Sequence, residues 1–198
     1  MIVSIEQREF PSRKRWTRQE CQRLRDAGFL PGRYELINGD ILEKMPKNPP
    51  HVIALMLLAV WLEGLFGRYF VRSQDPIVIP VPDEFSTEPE PDIAVTRAPM
   101  TAYLTANPGP GDLLLIGEVS DSTLSYDLRT KADLYGTAGI PEYWVLDVAG
   151  RRLTVHRLPS PEGYREVRLY TENEQVATLS HQDSPILVAS LLPPLVNE

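Results

Sequence analysis

A chain of 198 residues, 42% apolar and 24% charged, is long enough for one domain with a sizeable core and too apolar for intrinsic disorder. Its 12 glycines show no period, which excludes collagen, and the single cysteine, Cys21, allows neither an internal disulfide nor a cysteine-based zinc site. The net charge of −7 makes the chain as a whole a poor sequence-independent binder of polyphosphate, because that affinity comes from counterions displaced by basic side chains.

The charge is uneven. Residues 1–33 carry +4 and the remainder −11, so nucleic-acid binding would call on the basic segment (Arg8, Arg13, Lys14, Arg15, Arg18) or on a local patch. The plainer reading of that segment is a solvated arm. Residues 1–16 hold no apolar run of the kind a secretory signal needs. The longest apolar run, Val52–Leu62, is well short of the roughly 20 residues that cross a bilayer. We therefore expect a cytoplasmic protein with no membrane segment.

In chain order, Thr17 with Glu20 forms a capping-box pattern and Gly28 a stop, predicting a helix over Arg18–Ala27. Asn38-Gly39 between Arg33–Ile37 and Asp40–Met45 predicts a tight β-hairpin. Lys47–Pro50 breaks the chain before a helix over His51–Phe66, apolar on nearly all sides and hence expected at the centre. Strands are expected at Tyr69–Ser73, Ile77–Val81 (an edge or bulge, given Pro76, Pro80 and Pro82) and Ile93–Thr96. A Pro/Gly-rich loop, Ala98–Gly111, leads to the aliphatic strand Leu113–Val119, fit for the middle of a sheet. A helix at Leu128–Tyr135, strands at Tyr143–Asp147, Leu153–Arg157 and Tyr164–Tyr170, and a loosely ordered tail at Leu191–Glu198 follow. The class is α+β, with a mixed sheet and a few helices. No repeat or linker divides the chain, so one domain is expected over 1–198: an arm at 1–16, a core at 17–158 and an extension at 159–198.

Between Gln74 and Thr96 stand six acids (Asp75, Asp83, Glu84, Glu88, Glu90, Asp92) and no base. Most read as solvated loop charges. Asp92 opens a strand directly after Pro91, and Glu118 lies near the end of an aliphatic strand, where a carboxylate is costly unless paired, hydrogen-bonded or bound to a metal. If the two strands are neighbours, these acids converge at one end of the sheet, an arrangement suited to Mg²⁺ with several retained waters. Asp127 and Lys131, four apart on the next helix, are either an ordinary ion pair or a lysine turned toward those carboxylates, where it would orient water or stabilise phosphate charge.

Pro91-Asp92-Ile93-Ala94-Val95, Leu115-Ile116-Gly117-Glu118-Val119-Ser120, Asp127 with Lys131 and Tyr135, and Gly139-Ile140-Pro141-Glu142-Tyr143-Trp144-Val145-Leu146-Asp147 occur in that order. Together with the hairpin Tyr34–Asp40 and with His51, they closely resemble a widespread bacterial family labelled "putative restriction endonuclease", within the PD-(D/E)xK nuclease superfamily. The match spans roughly Thr17 to Leu158. The resemblance implies a restriction-endonuclease-like fold, its mixed sheet flanked by helices, whose acids hold Mg²⁺ or Mn²⁺ for hydrolysis of DNA, in a homodimer. Carried over by position, Asp92 and Glu118 are the metal-binding acids, joined by the Val119 carbonyl and by Glu35 as an upstream acid. The sequence departs from the superfamily signature at Ser120, where a lysine is expected. Family members share that departure, and Lys131 is the natural holder of the lysine's role. Asp127 would then orient Lys131 or cap its helix, while Gln74 and His51 would line the cleft. The ordinary alternative for Glu35 is a solvent-facing strand residue. The alternative for the whole chain is an inactive nuclease fold that binds nucleic acid or protein.

The remaining motifs carry less. His51, His156 and His181 show no i,i+4 pair for zinc, and no Gly-x-Ser-x-Gly elbow or phosphate loop is present. Tyr143 and Trp144, which could stack on bases, and Cys21 read as packing residues.

Overall fold

The computed structural model describes residues 13–30, 33–80 and 87–195. Outside them lie most of the expected arm, including Arg8, with Val81, Pro82, Asp83, Glu84 and the last three residues of the tail. The first helix, α1 (Arg18–Asp26), starts at the expected capping box: Thr17 and Glu20 each bond the other's backbone N–H. Strands β1 (Tyr34–Ile37) and β2 (Asp40–Glu43) form the hairpin. Asn38 and Gly39, at φ 49° and 78°, supply the two left-handed residues its turn requires.

The principal sheet has six strands in sequential order: β3 (Val71–Ser73), β4 (Ile93–Thr96), β5 (Leu113–Ser120), β6 (Glu142–Asp147), β7 (Arg152–Ser160) and β8 (Gly163–Thr171). Neighbours run antiparallel except β5 and β6, which are parallel. A parallel pair needs a crossover. Here it is a helical run in three parts: α3 (Leu124–Tyr126), a π-helical turn (Asp127–Lys131) and α4 (Ala132–Thr137). The fold is thus mixed α+β, as expected. Among the described residues the expected strand at Ile77–Val81 adds nothing to this sheet: Ile79 makes an isolated bridge to Thr87, and Val81 lies outside them. A short pair, β9 (Gln175–Val176) with β10 (Ile186–Leu187), lies in the C-terminal part.

Helix α2 (Pro49–Phe66) begins two residues before its expected start. Asn48 caps it by accepting from the His51 N–H, and Pro49 occupies the first turn, where a missing N–H costs nothing. Its placement corrects the expectation of an all-round buried helix. Ala54, Leu58 and Leu62 form one buried row on the sheet, whereas Val52, Met56 and Val60 form an outward row, 51%, 56% and 64% exposed. By length and composition alone α2 is apolar enough to cross a membrane, as core helices of soluble proteins also are.

The sheet separates two apolar layers. Under α2, Ile93, Val95, Leu115, Val119, Trp144 and Leu146 pack with Leu191 and Leu192, so the expected loose tail is core at its start. Under α4, Ala94, Ile116, Tyr135, Ile140, Tyr143 and Val145 form the second. Tyr143, Trp144 and Cys21 are buried packing residues.

His156 stands opposite Tyr143 on β7, its ring beside those of Tyr143 and Tyr164, with Nε2 buried and without a hydrogen-bond partner. Burial depresses its pKa to about 4 against the weaker opposing pull of Asp133. Below the ordinary histidine pKa the unfolded chain therefore binds a proton that the folded chain refuses until pH 4. His156 should thus cost about 2 kcal/mol as pH falls from 6.5 to 4. Urea titrations of His156→Phe should show a shallower acid loss over that window, and an unchanged slope would refute the assignment.

Candidate active site

The antiparallel register of β4 with β5 pairs Ile93 with Gly117, which sets Asp92, just before β4, beside Glu118. The Asp92 N–H donates to Glu118 Oε2 at 3.3 Å and the Val119 N–H to Asp92 Oδ2 at 3.0 Å. Strand alternation gives Gly117 to the α2 side, where a Cβ would lie 2.7 Å from Ile93 and 3.4 Å from Leu58. It turns Glu118 and Ser120 to the other side, toward the helical crossover.

Lys131 meets Glu118 there. Its ammonium donates to Glu118 Oε1 at 2.8 Å and to Glu35 Oε1 at 3.0 Å, and all three side chains are buried. Of the two readings open for Lys131, the structure has the one turned toward the carboxylates. Tyr135, one turn on, also donates to Glu118 Oε1. Glu35 is 5% exposed and accepts the Glu90 N–H at 2.9 Å, which replaces the solvent-facing alternative. Asp127 neither pairs with Lys131 through a hydrogen bond nor caps the helix: its Oδ2 accepts from Ser120 Oγ at 2.7 Å and Thr123 Oγ1 at 2.6 Å. Ser120, at the position of the missing signature lysine, is thereby tied to the helix that carries Lys131.

On the solvent side Asp92 Oδ1 accepts from Lys47 Nζ at 2.9 Å and from Gln74 Nε2 at 3.5 Å. Gln74 has φ 59°, a conformation unusual for a residue with a side chain, and its N–H donates to the Asp92 carbonyl. His51 Nε2 points at Asp92 Oδ2 from 3.5 Å and is buried without a hydrogen-bond partner. Lys44 lies 3.5 Å from Glu35 and donates to the Glu90 carbonyl. Glu35, Lys44, Lys47, His51 and Asp92 line a cleft of about 300 Å³ with Glu118, Val119, Asp127 and Lys131. Gln74, expected in the lining, lies behind Asp92, and Ser120 behind Asp127. Lys44 and Lys47 were missed, because lone lysines in a Pro-containing loop carry no periodic signal; Tyr126, which lines the cleft from α3, was missed because a single tyrosine in a short helical turn carries none either.

The electrostatics push the two acids apart. Burial alone would raise the Asp92 pKa, but the nearness of His51 and the Lys47 ammonium overcomes it and holds the carboxyl below the ordinary range. Burial raises Glu118, with Asp92, Asp127 and Glu35 adding to the rise against the pull of Lys131. Burial would lower the Lys131 pKa, yet Glu118, Glu35 and Asp127 outweigh it and keep the ammonium charged.

Among the described residues no three His, Cys, Asp or Glu side chains are gathered as a metal cage. Two buried carboxylates, Asp92 and Glu118, at adjacent strand ends are the number of protein ligands that fits a hard divalent cation keeping most of its waters.

The protein's mixed sheet with its flanking helices is a nuclease-like fold. Its structure resembles the crystal structure of a putative nuclease of the DUF820 group from Anabaena variabilis ATCC 29413, with a TM-score of 0.62 over 85% of this chain and 96% of that one at 16% identity. At that identity the likeness concerns the fold. The chain belongs to the Uma2 family, described as "putative restriction endonuclease", whose model matches residues 20–185. Comparison with curated proteins gives no match.

Proposed function

We propose that the protein is a cytoplasmic, divalent-metal-dependent endonuclease that hydrolyses DNA phosphodiester bonds. The observation that carries this reading is the buried Asp92–Glu118 pair, with the Lys131 ammonium 2.8 Å from Glu118. Asp92, Glu118 and the Val119 carbonyl would hold Mg²⁺ or Mn²⁺, with Glu35 close by; the bound ion polarises a phosphate and lowers the pKa of its water. Lys131, fixed from two sides, keeps a positive charge facing the cleft and would orient a water or stabilise phosphate charge. Glu35 and Tyr135 hold the Lys131–Glu118 unit in place, while Asp127 anchors its helix to β5 through Ser120. Gln74 and His51 set the position of Asp92. Pairing of two copies belongs to this reading as well, supported by the outward apolar row of α2, which starts one residue after His51.

A second reading is a nuclease fold without chemistry that binds nucleic acid or protein. It is favoured by Ser120, which is held by Asp127 and supplies no cation at the position of the signature lysine. Calorimetric titration with Mn²⁺ separates the two. We expect saturable binding by the wild type and its loss in Asp92→Ala, followed by metal-dependent nicking of plasmid DNA by the wild type only. A folded wild type that takes up no Mn²⁺ would leave the binding module.

A further inference from the structure

Six carboxylates line the cleft: Glu35, Glu43, Asp92, Glu118, Asp121 and Asp127. Three ammonium groups, on Lys44, Lys47 and Lys131, stand among them. The three lysines differ in how they are held. Lys131 is enclosed between two acids on a helix packed against the sheet. Lys44 is fixed by Glu35, Glu90 and the Glu90 carbonyl. Lys47 rises from the loop between β2 and α2 and, among the described residues, makes one polar contact, with Asp92 Oδ1 at 2.9 Å.

From this arrangement we propose that Lys47 is a built-in counter-cation for Asp92, which a divalent ion must displace. The inference rests on the reading of Asp92 as a metal-binding acid. The physical reason is competition for one oxygen. A buried carboxylate needs a positive partner, and a doubly charged ion on Asp92 would repel an ammonium within hydrogen-bonding distance of the same atom. Lys47 has a flexible four-carbon stem anchored on a loop, so it can swing out where Lys131 cannot. The neighbouring His51 Nε2 lacks a hydrogen-bond partner, which leaves an additional polar atom at the place the ammonium would vacate. The arrangement stabilises the empty site and weakens its affinity for the ion, so occupancy becomes a threshold set by Lys47.

The test is Mn²⁺ titration calorimetry on the wild type, Lys47→Gln, Lys47→Arg and Asp92→Ala, with circular dichroism confirming the fold of each. Lys47→Gln should bind roughly five- to tenfold more tightly than the wild type, because the ion no longer has an ammonium to displace from a largely buried carboxylate. Lys47→Arg, which keeps the charge, should stay close to the wild type. If the wild type binds through Asp92 and Lys47→Gln binds equally or more weakly, Lys47 is a metal helper or a phosphate contact and the counter-cation role is overturned. Binding by Lys47→Gln alone would support it in its strongest form. If neither takes up Mn²⁺, or if Asp92→Ala binds as well as the wild type, the metal reading itself fails and this role with it.

Discussion

Lys131→Met should destabilise the protein by about 3–5 kcal/mol at neutral pH, the cost of breaking a buried ion pair from one side. Glu118 and Glu35 share the Lys131 ammonium at 2.8 and 3.0 Å with almost no solvent contact. Without it two carboxylates face each other in the interior. Glu118, already raised by burial, would lose the lowering pull of Lys131 and hold its proton to still higher pH. A carboxyl so raised binds more protons folded than unfolded, and stability then falls as pH climbs from about 4.3 through the folded pKa. The deficit of the variant should therefore be small near pH 4.5 and grow toward pH 8. Urea midpoints across that range read it directly. A loss below about 1 kcal/mol, flat with pH, would mean that Lys131 does not balance the pair.

The second large effect lies away from the cleft. Glu142 is fully buried at the start of β6; its Oε1 accepts from Arg157 and from Trp144 Nε1, and its Oε2 from the Leu179 N–H. Arg157 also donates to the Ala177 carbonyl, so one ion pair fastens the segment around residues 177–179 to the sheet. Arg157→Met should cost about 3–5 kcal/mol and open that segment to proteolysis. The double variant Arg157→Met with Glu142→Gln should recover more than half of the loss, because the amide leaves no charge orphaned while its oxygen still accepts from Trp144 or Leu179. If the double variant is no more stable than the single, the segment depends on Arg157 for packing rather than for charge. Glu142 and Glu118 are thus both buried acids on adjacent strands with different duties. One has all its partners inside the core, and the other opens on a cleft.

How much of this was legible in the sequence depended on how local its cause was. Asn38-Gly39, the Thr17–Glu20 box and the Ile93–Thr96 strand follow from short-range geometry and stand as expected. The convergence of Asp92 and Glu118 needed only that two successive strands be neighbours. The faces of α2 were not legible, because Leu58 and Val60 are equally apolar and only the sheet decides which one is covered. Leu191 and Leu192 follow the same logic in a segment whose prolines suggested a loose tail. Asp127 was read through its spacing to Lys131, whereas its partners Ser120 and Thr123 lie upstream and come to it across the strand-to-helix turn. Lys47 illustrates the limit most clearly: its role depends on an acid 45 residues further along.

The π turn at Asp127–Lys131 bears on how tolerant this chain is of a change in length. In a regular α-helix residues four apart drift by about 40° around the axis, so Asp127, Lys131 and Tyr135 would fan out over about 80°. The wider π turn winds the first step the other way, so the drift does not accumulate, and the three side chains reach Ser120, Glu118 and Glu118 again. The surplus residue acts as a phase corrector, matching a helical period to a straight strand. Losing one residue there would leave every side chain chemically intact and still turn the cation away from its acids, so the spacing from Asp127 to Tyr135 is as much a part of the site as the residues themselves.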